Sequence, residues 1–189
     1  EKIIYGDASH RSIGSLPDMA RRVLTVNAFS KTYAMTGWRL GYAGGPSEIV
    51  SQMVKLNTGL NSCPSSIAQR AGVEALRGPQ DCVRRMLEEY LRRRDFLLQR
   101  LRRVPGMSCV VPDGAFYAFP NIQELGLSSF DFSMALLDQA KVSTVPGSAF
   151  GAQGEGYVRL SYANSIENIA EAMDRVEEAI RAGLKAPKS

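Results

Sequence analysis

The sequence predicts an α/β chain. A short, bounded β-branched run occurs at 23–26 and a second apolar run at 40–43, and patterns of helical period follow them over 46–60, from about 65 to 77, and over 80–104. Beyond the longest of these, the texture changes to short strands alternating with helices, which is the mark of an α+β unit. The long pattern is therefore the one organisational break. Residues 1–88 read as the continuation of a sheet that started upstream, and residues 89–189 as a compact α+β domain.

The elements follow in order. Residues 1–5 are a short apolar run that begins abruptly, Gly6-Asp7 is a turn, and 8–18 is loop. The run 23–26 is apolar and bounded, as a strand buried on both faces would be. It stops at Asn27, and a loop of small and hydroxylated residues then presents Lys31. Arg39 follows eight residues later beside Gly37 and Gly41, and the second strand, 40–43, ends in Gly44-Gly45-Pro46. Pro46 suits the first turn of a helix in which Ile49, Met53, Val54 and Leu56 recur at helical spacing. Asn61-Ser62-Cys63-Pro64 interrupts it. The next helix carries Ile67, Ala68, Ala71, Val73 and Leu76 and stops at Gly78-Pro79. The long helix has an apolar stripe running from Val83 to Leu101, opposite a face of arginine and glutamate, and ends at Pro105-Gly106.

In the C-terminal part, strands at 108–111 and 115–119 flank Pro112-Asp113-Gly114, which is hairpin turn chemistry. A helix over 130–140 presents Phe132, Ala135, Leu136 and Leu137 to the core, and a strand over 142–145 ends at Pro146-Gly147. Residues 157–162 alternate, with Val158, Leu160 and Tyr162 on one face and Tyr157, Arg159 and Ser161 on the other. Ser165, with Asn168 three residues on, caps a final helix whose stripe is Ile169, Met173, Val176 and Ile180 and which ends at Gly183. Residues 185–189 read as a frayed tail.

Composition narrows the function classes. A chain of 189 residues that is 44% apolar and 22% charged can bury a substantial core. The net charge of +4 comes with no run of five like charges and no basic stripe interleaved with aromatics, which argues against nucleic acid as a partner. Arg92-Arg93-Arg94 falls inside a helical pattern and reads as a solvated face. No apolar stretch reaches transmembrane length and residues 1–4 are not a signal peptide, so no membrane association is expected. Cys63, Cys82 and Cys109 are odd in number and widely spaced, fitting reduced thiols in a cytoplasmic protein. His10 is the single histidine, so Ser-His-Asp and histidine–metal chemistries lack their parts and no metal site is expected.

Lys31 and Arg39 are the residues that ask for chemistry. An ammonium in a buried loop between strands is tolerated when it is deprotonated, paired, or covalently engaged with a carbonyl. A guanidinium in a glycine-flanked loop can clamp a phosphate, with hydroxyl donors from Ser30 and Thr36. An amine for an aldehyde and an arginine for a phosphate together imply pyridoxal 5'-phosphate. Spacing alone does not decide between that pair and two ordinary surface residues.

The local sequence is more specific. Phe29-Ser30-Lys31-Thr32-Tyr33-Ala34-Met35-Thr36-Gly37-Trp38-Arg39-Leu40-Gly41-Tyr42 closely resembles the cofactor-attachment motif of class I/II pyridoxal-phosphate-dependent aminotransferases of fold type I, and within them the aspartate-aminotransferase-like subgroup. Ala28 departs from the serine or glycine more usual there, which weakens one possible phosphate contact. The resemblance continues through residues 61–69, Glu74-Ala75-Leu76, the Gly114-Ala115-Phe116-Tyr117 segment, Val145-Pro146-Gly147 with Phe150-Gly151, and Val158-Arg159-Leu160-Ser161-Tyr162-Ala163. It covers the whole chain but only the later half of the family.

The resemblance implies that 1–88 is the C-terminal remainder of the large cofactor-binding domain, ending its mixed sheet, and 89–189 the small domain. It implies that Lys31 holds the cofactor as a Schiff base and then moves the proton, that Ser30 and Arg39 hold the phosphate, and that Arg159 binds the substrate's α-carboxylate. The substrates would be an L-amino acid, aspartate-like or of broad range, and a 2-oxo acid. The parent protein would be a cytoplasmic homodimer in amino acid metabolism, serving biosynthesis. An Asp-Glu-x-Tyr motif is expected just upstream of Glu1, so the chain reads as a fragment, inactive alone. Other fold type I reactions (lyase, synthase, decarboxylase) and a non-enzymatic regulator with an aminotransferase-like sensor domain remain alternatives.

Overall fold

The computed structural model describes residues 1–186, and the chain divides into two compact units, Glu1–Met86 and Leu87–Ser189. Of the expected tail 185–189, residues 187–189 lie outside the described residues.

The first unit is built on two antiparallel strands, β1 (Thr25–Ala28) and β2 (Gly41–Gly44), with Ala28 opposite Gly41 and Thr25 opposite Gly44. The strands approach so closely that a Cβ on Gly41 would lie 2.9 Å from the Asn27 carbonyl oxygen, which is why glycine stands there. The expected strand at 23–26 thus begins at Thr25, and it is not buried on both faces: Val26 is 72% exposed. Among the described residues its sheet has only these two strands, so the β-branched run has a partner along one edge and no layer above it.

The segment joining the strands contains α1 (Phe29–Thr32) and a 3₁₀ turn, Thr36–Trp38. Phe29, Met35 and Leu40 from this segment form a buried cluster, with Tyr33, Ala71 and Ala75 packed against it. Helix α2 (Ser47–Leu60) starts just after Pro46, whose carbonyl accepts from the Ile49 and Val50 amides at 3.1 and 3.0 Å. Its stripe has the expected period, yet Ile49, Val54 and Leu56 are all exposed. Helix α3 (Ser66–Arg77) packs by its small residues. Ala68 and Gly72 are buried, while the bulkier Ile67, Val73 and Leu76 of the expected stripe are exposed. The reason is space: a Cβ on Gly72 would lie 2.6 Å from Leu40 Cδ2 and 3.1 Å from Phe29 Cζ. Gln80 ties off the end of α3, donating to the Ala75 and Gly78 carbonyls at 3.0 and 2.8 Å and accepting from the Tyr33 hydroxyl at 3.3 Å. The unit boundary falls inside α4 (Asp81–Leu101).

The second unit has an antiparallel sheet of order β3 (Tyr117–Ala118), β5 (Val158–Ser161), β4 (Val145–Pro146). The expected hairpin of 108–111 with 115–119 does not form. Ser108 makes a single bridge to Asn121, and Val110 is 88% exposed. Pro112-Asp113-Gly114 does turn the chain, but Ala115 takes a left-handed φ of 61° and the Phe116 carbonyl accepts from the Tyr162 amide at 3.0 Å. Residues after the turn are thereby committed to β5.

Helix α5 (Ser129–Ala135) is capped by Ser128, whose hydroxyl accepts from the Asp131 amide at 3.0 Å and lies 2.7 Å from the Asp131 carboxylate. It passes into a π-helical turn, Leu136–Ala140. The wider turn carries Leu137 into solvent while Phe132, Ala135 and Leu136 stay buried, so the expected four-residue core face loses one member. The expected strand 142–145 shortens to the two residues of β4. Helix α6 (Ile166–Arg181) is capped as expected, Ser165 Oγ accepting from the Asn168 amide at 3.2 Å. Its residues Ile169, Met173 and Val176 are buried, and Gly183 follows with φ of 82°. Fully buried Tyr162 anchors this core, and its hydroxyl is satisfied by donating to the Ala115 carbonyl at 3.1 Å. Among the described residues, no helix is long and apolar enough to cross a membrane.

Candidate active site

The site in the first unit follows from the strand pairing. Because Ala28 pairs with Gly41, and the Phe29 amide donates to the Leu40 carbonyl at 3.2 Å, residues 30–39 form a segment closed at its base. Ser30 and Lys31 stand on the rising limb of that segment and Arg39 at the foot of the returning limb, so all three emerge at one end of the β1–β2 ladder. Phe29 and Leu40 bury themselves beneath it and hold it to α3.

Lys31 is exposed on the single turn of α1, Ser30 is half-buried beside it, and Thr32 on the other side is buried. The buried loop lysine expected from sequence is thus corrected. The short helix turns Phe29 and Thr32 inward and leaves the intervening lysine outward, so its ammonium carries no burial cost. Arg39 adopts the left-handed conformation, φ 51° and ψ 48°, which is uncommon for a side chain with a Cβ. Its guanidinium donates through Nη1 to the Thr36 carbonyl at 3.1 Å. That bond leaves further N–H donors of the fork directed elsewhere. Tyr33 is part of the underlying cluster, and burial, then the neighbouring Tyr42, raises its phenol above the ordinary value.

The donor set fits a ligand with a carbonyl and a phosphate. It offers a primary amine on an exposed residue, a hydroxyl and a bidentate cation on one short closed segment. Among the described residues, no group of three or more His, Cys, Asp or Glu is arranged to hold a metal.

Arg159 belongs to the second unit. It lies in β5 opposite Val145, half-buried, on the face that also carries Tyr157 and Ser161. Tyr117, opposite Ser161, shares that face. The guanidinium carbon of Arg159 is 4.4 Å from the Tyr117 ring centroid and 5.0 Å from that of Phe150. Both aromatics lie in segments that resemble the family, and the sequence alone assigns them no role. The shared parity of Tyr117 and Arg159 was the available signal, but only the register of β3 on β5 makes it usable.

The family model "Aminotransferase class I and II" matches residues 1–176, and the chain belongs to that family. Among its relatives, an aspartate aminotransferase of Pyrococcus abyssi is 50% identical over 183 residues, 96% of this chain and 47% of that protein. An aromatic-amino-acid aminotransferase of Thermococcus litoralis is 46% identical over 183 residues, again 96% of this chain and 47% of that one. The crystal structure of an aromatic aminotransferase from Pyrococcus horikoshii superimposes with a TM-score of 0.93 at 48% identity, covering 96% of this chain and 49% of that chain. The chain therefore spans about half the length of the curated relatives it matches.

Proposed function

We propose that the protein carrying this chain is a pyridoxal-phosphate-dependent aminotransferase, moving an amino group between an L-amino acid and a 2-oxo acid. The observation that carries this reading is the closed segment 30–39, which places Lys31 and Arg39 at one end of a strand pair in a chain of the aminotransferase family. Its relatives include proteins named for aspartate and for aromatic amino acids, and the donor is proposed to come from that range.

The residues divide the work. Lys31 would hold the cofactor through its Nζ amine and, when that amine is free, would serve as the base and acid that moves the substrate α-proton. Arg39 would hold the phosphate through its fork donors, with Ser30 Oγ adding a neutral donor. Arg159 would donate two parallel hydrogen bonds to the α-carboxylate and so orient the substrate. When bound, pyridoxal phosphate supplies the electron-withdrawing ring that makes the α-proton removable. In this reading residues 1–88 belong to the large cofactor-binding domain and 89–189 form the small one, and the full-length protein is a cytoplasmic homodimer.

The test is amino transfer by the full-length protein from L-aspartate or L-tyrosine to 2-oxoglutarate. Activity that depends on the 2-oxo acid and is lost in Lys31→Ala supports the reading. Decarboxylation or elimination without amino transfer would overturn it.

A further inference from the structure

We propose that Tyr117 and Phe150 are positioning residues that hold the Arg159 guanidinium, and that Glu155 fixes the loop that delivers Phe150. The inference rests on the reading of Arg159 as the carboxylate-binding group.

An arginine side chain is rich in rotamers, so a guanidinium that must meet a planar carboxylate benefits from being held beforehand. Among the described residues no carboxylate forms an ion pair with Arg159; its neighbours are two rings, 4.4 and 5.0 Å from the guanidinium carbon. The choice of neighbour matters. A carboxylate would hold the cation but occupy the same donors the substrate needs. A ring face attracts the cation while leaving the N–H fork open.

Phe150 is 53% exposed, so it contributes little as a core residue, yet it is supported on several sides. Phe119 meets it edge-on at 5.9 Å and 80°, and Phe119 in turn stacks on Tyr157 at 5.3 Å and 3°. Its backbone belongs to a loop of two 3₁₀ turns, Gly147–Phe150 and Ala152–Gly154. The loop is cinched where Gly147 and Gly154 meet: a Cβ on Gly147 would lie 1.9 Å from the Gly154 carbonyl oxygen. It is tied to the start of α5 by buried Ser129, whose amide and hydroxyl donate to the two Glu155 carboxylate oxygens at 2.7 and 2.8 Å. The same hydroxyl lies 3.0 Å from Ser148 Oγ and accepts from the Ser148 amide at 3.3 Å. Glu155 and Ser148 bracket Phe150, so this network fixes the ring from both sides along the chain.

The test uses the full-length protein and isothermal titration with maleate and 3-phenylpropanoate, two carboxylates without an amino group. Phe150→Ala and Tyr117→Leu should each weaken both ligands about fivefold, the scale of one exposed cation–π contact. KM for the amino-acid substrate should rise in step, with kcat changing less. Phe150→Tyr should bind as the parent does, and Phe150→Leu, which restores bulk without a π face, should not. Glu155→Gln should share the defect in milder form. Parent-like binding by Phe150→Leu would overturn the proposal. Arg159→Ala separates the two levels. If it alone weakens binding while the ring variants do not, only the positioning role fails; if it leaves both titrations unchanged, the reading of Arg159 fails and this proposal with it.

Discussion

The amide of Phe29 donates to the carbonyl of Leu40 at 3.2 Å, and the side chains of the same two residues close over Gly72 of α3. One pair of residues thus shuts the base of the 30–39 segment and anchors it to a helix. The candidate cofactor residues owe their placement on one closed segment to this pair.

Gly72→Val is therefore expected to act at a distance on the site. A Cβ alone would come within 2.6 Å of Leu40 Cδ2, and a branched side chain forces Phe29 and Leu40 outward. Overpacking of this kind costs about 1–3 kcal/mol, against which better helix propensity returns less than about 1 kcal/mol. Urea unfolding should show the loss, and cofactor should be released more readily than from the parent protein.

Gly147→Ala is the sharper lesion. Its Cβ would meet backbone, 1.9 Å from the Gly154 oxygen and 2.6 Å from the Tyr157 oxygen. No rotamer change relieves that, so the loop must open, at a cost expected to reach about 3 kcal/mol. A lower melting temperature and weaker carboxylate binding should appear together.

Stability should fall on acidification through two carboxylates of the second unit. The Ser129 amide, then its hydroxyl, hold Glu155 below the usual carboxylate value of 4.5. Hydrogen bonds from Arg92 and then Arg93 lower Glu89 to about 2. A depressed folded-state value means that the ionised form favours the folded state. The contribution is complete above the unfolded value and is lost as pH falls through the folded one. For Glu89 that window runs from 4.5 down to about 2. Comparing urea midpoints at about pH 6 and about pH 3, Glu89→Gln and Glu155→Gln should each show a smaller drop than the parent. An unchanged drop in both would contradict the assignment.

The strand–turn–strand that carries Lys31 and Arg39 was legible because Gly41 and Leu40 close it locally; the chemistry proposed for it rests on residue identity and chain offset. Helices α2, α3, α4 and α6 were legible from period and punctuation; Ser165 capped α6 as expected. Periodicity states which residues share a face, however, and not whether another layer covers that face. Val26, Ile49 and Leu56 read as strand and helix residues from sequence, and their exposure could not be read there. The hairpin expected at Pro112-Asp113-Gly114 lost to a long-range partner, Tyr162, which local turn chemistry does not reveal. The rings beside Arg159 were missed for the same reason: Tyr117 and Phe150 reach it through sheet register and a folded loop.

Lys31 is proposed to carry the cofactor. Reducing the full-length protein with borohydride in the presence of pyridoxal phosphate, followed by peptide mass mapping, tests it directly. A phosphopyridoxyl adduct on the peptide containing Lys31, absent from Lys31→Ala, is the expected result. An adduct on a different lysine, or an undiminished adduct in the variant, would contradict it.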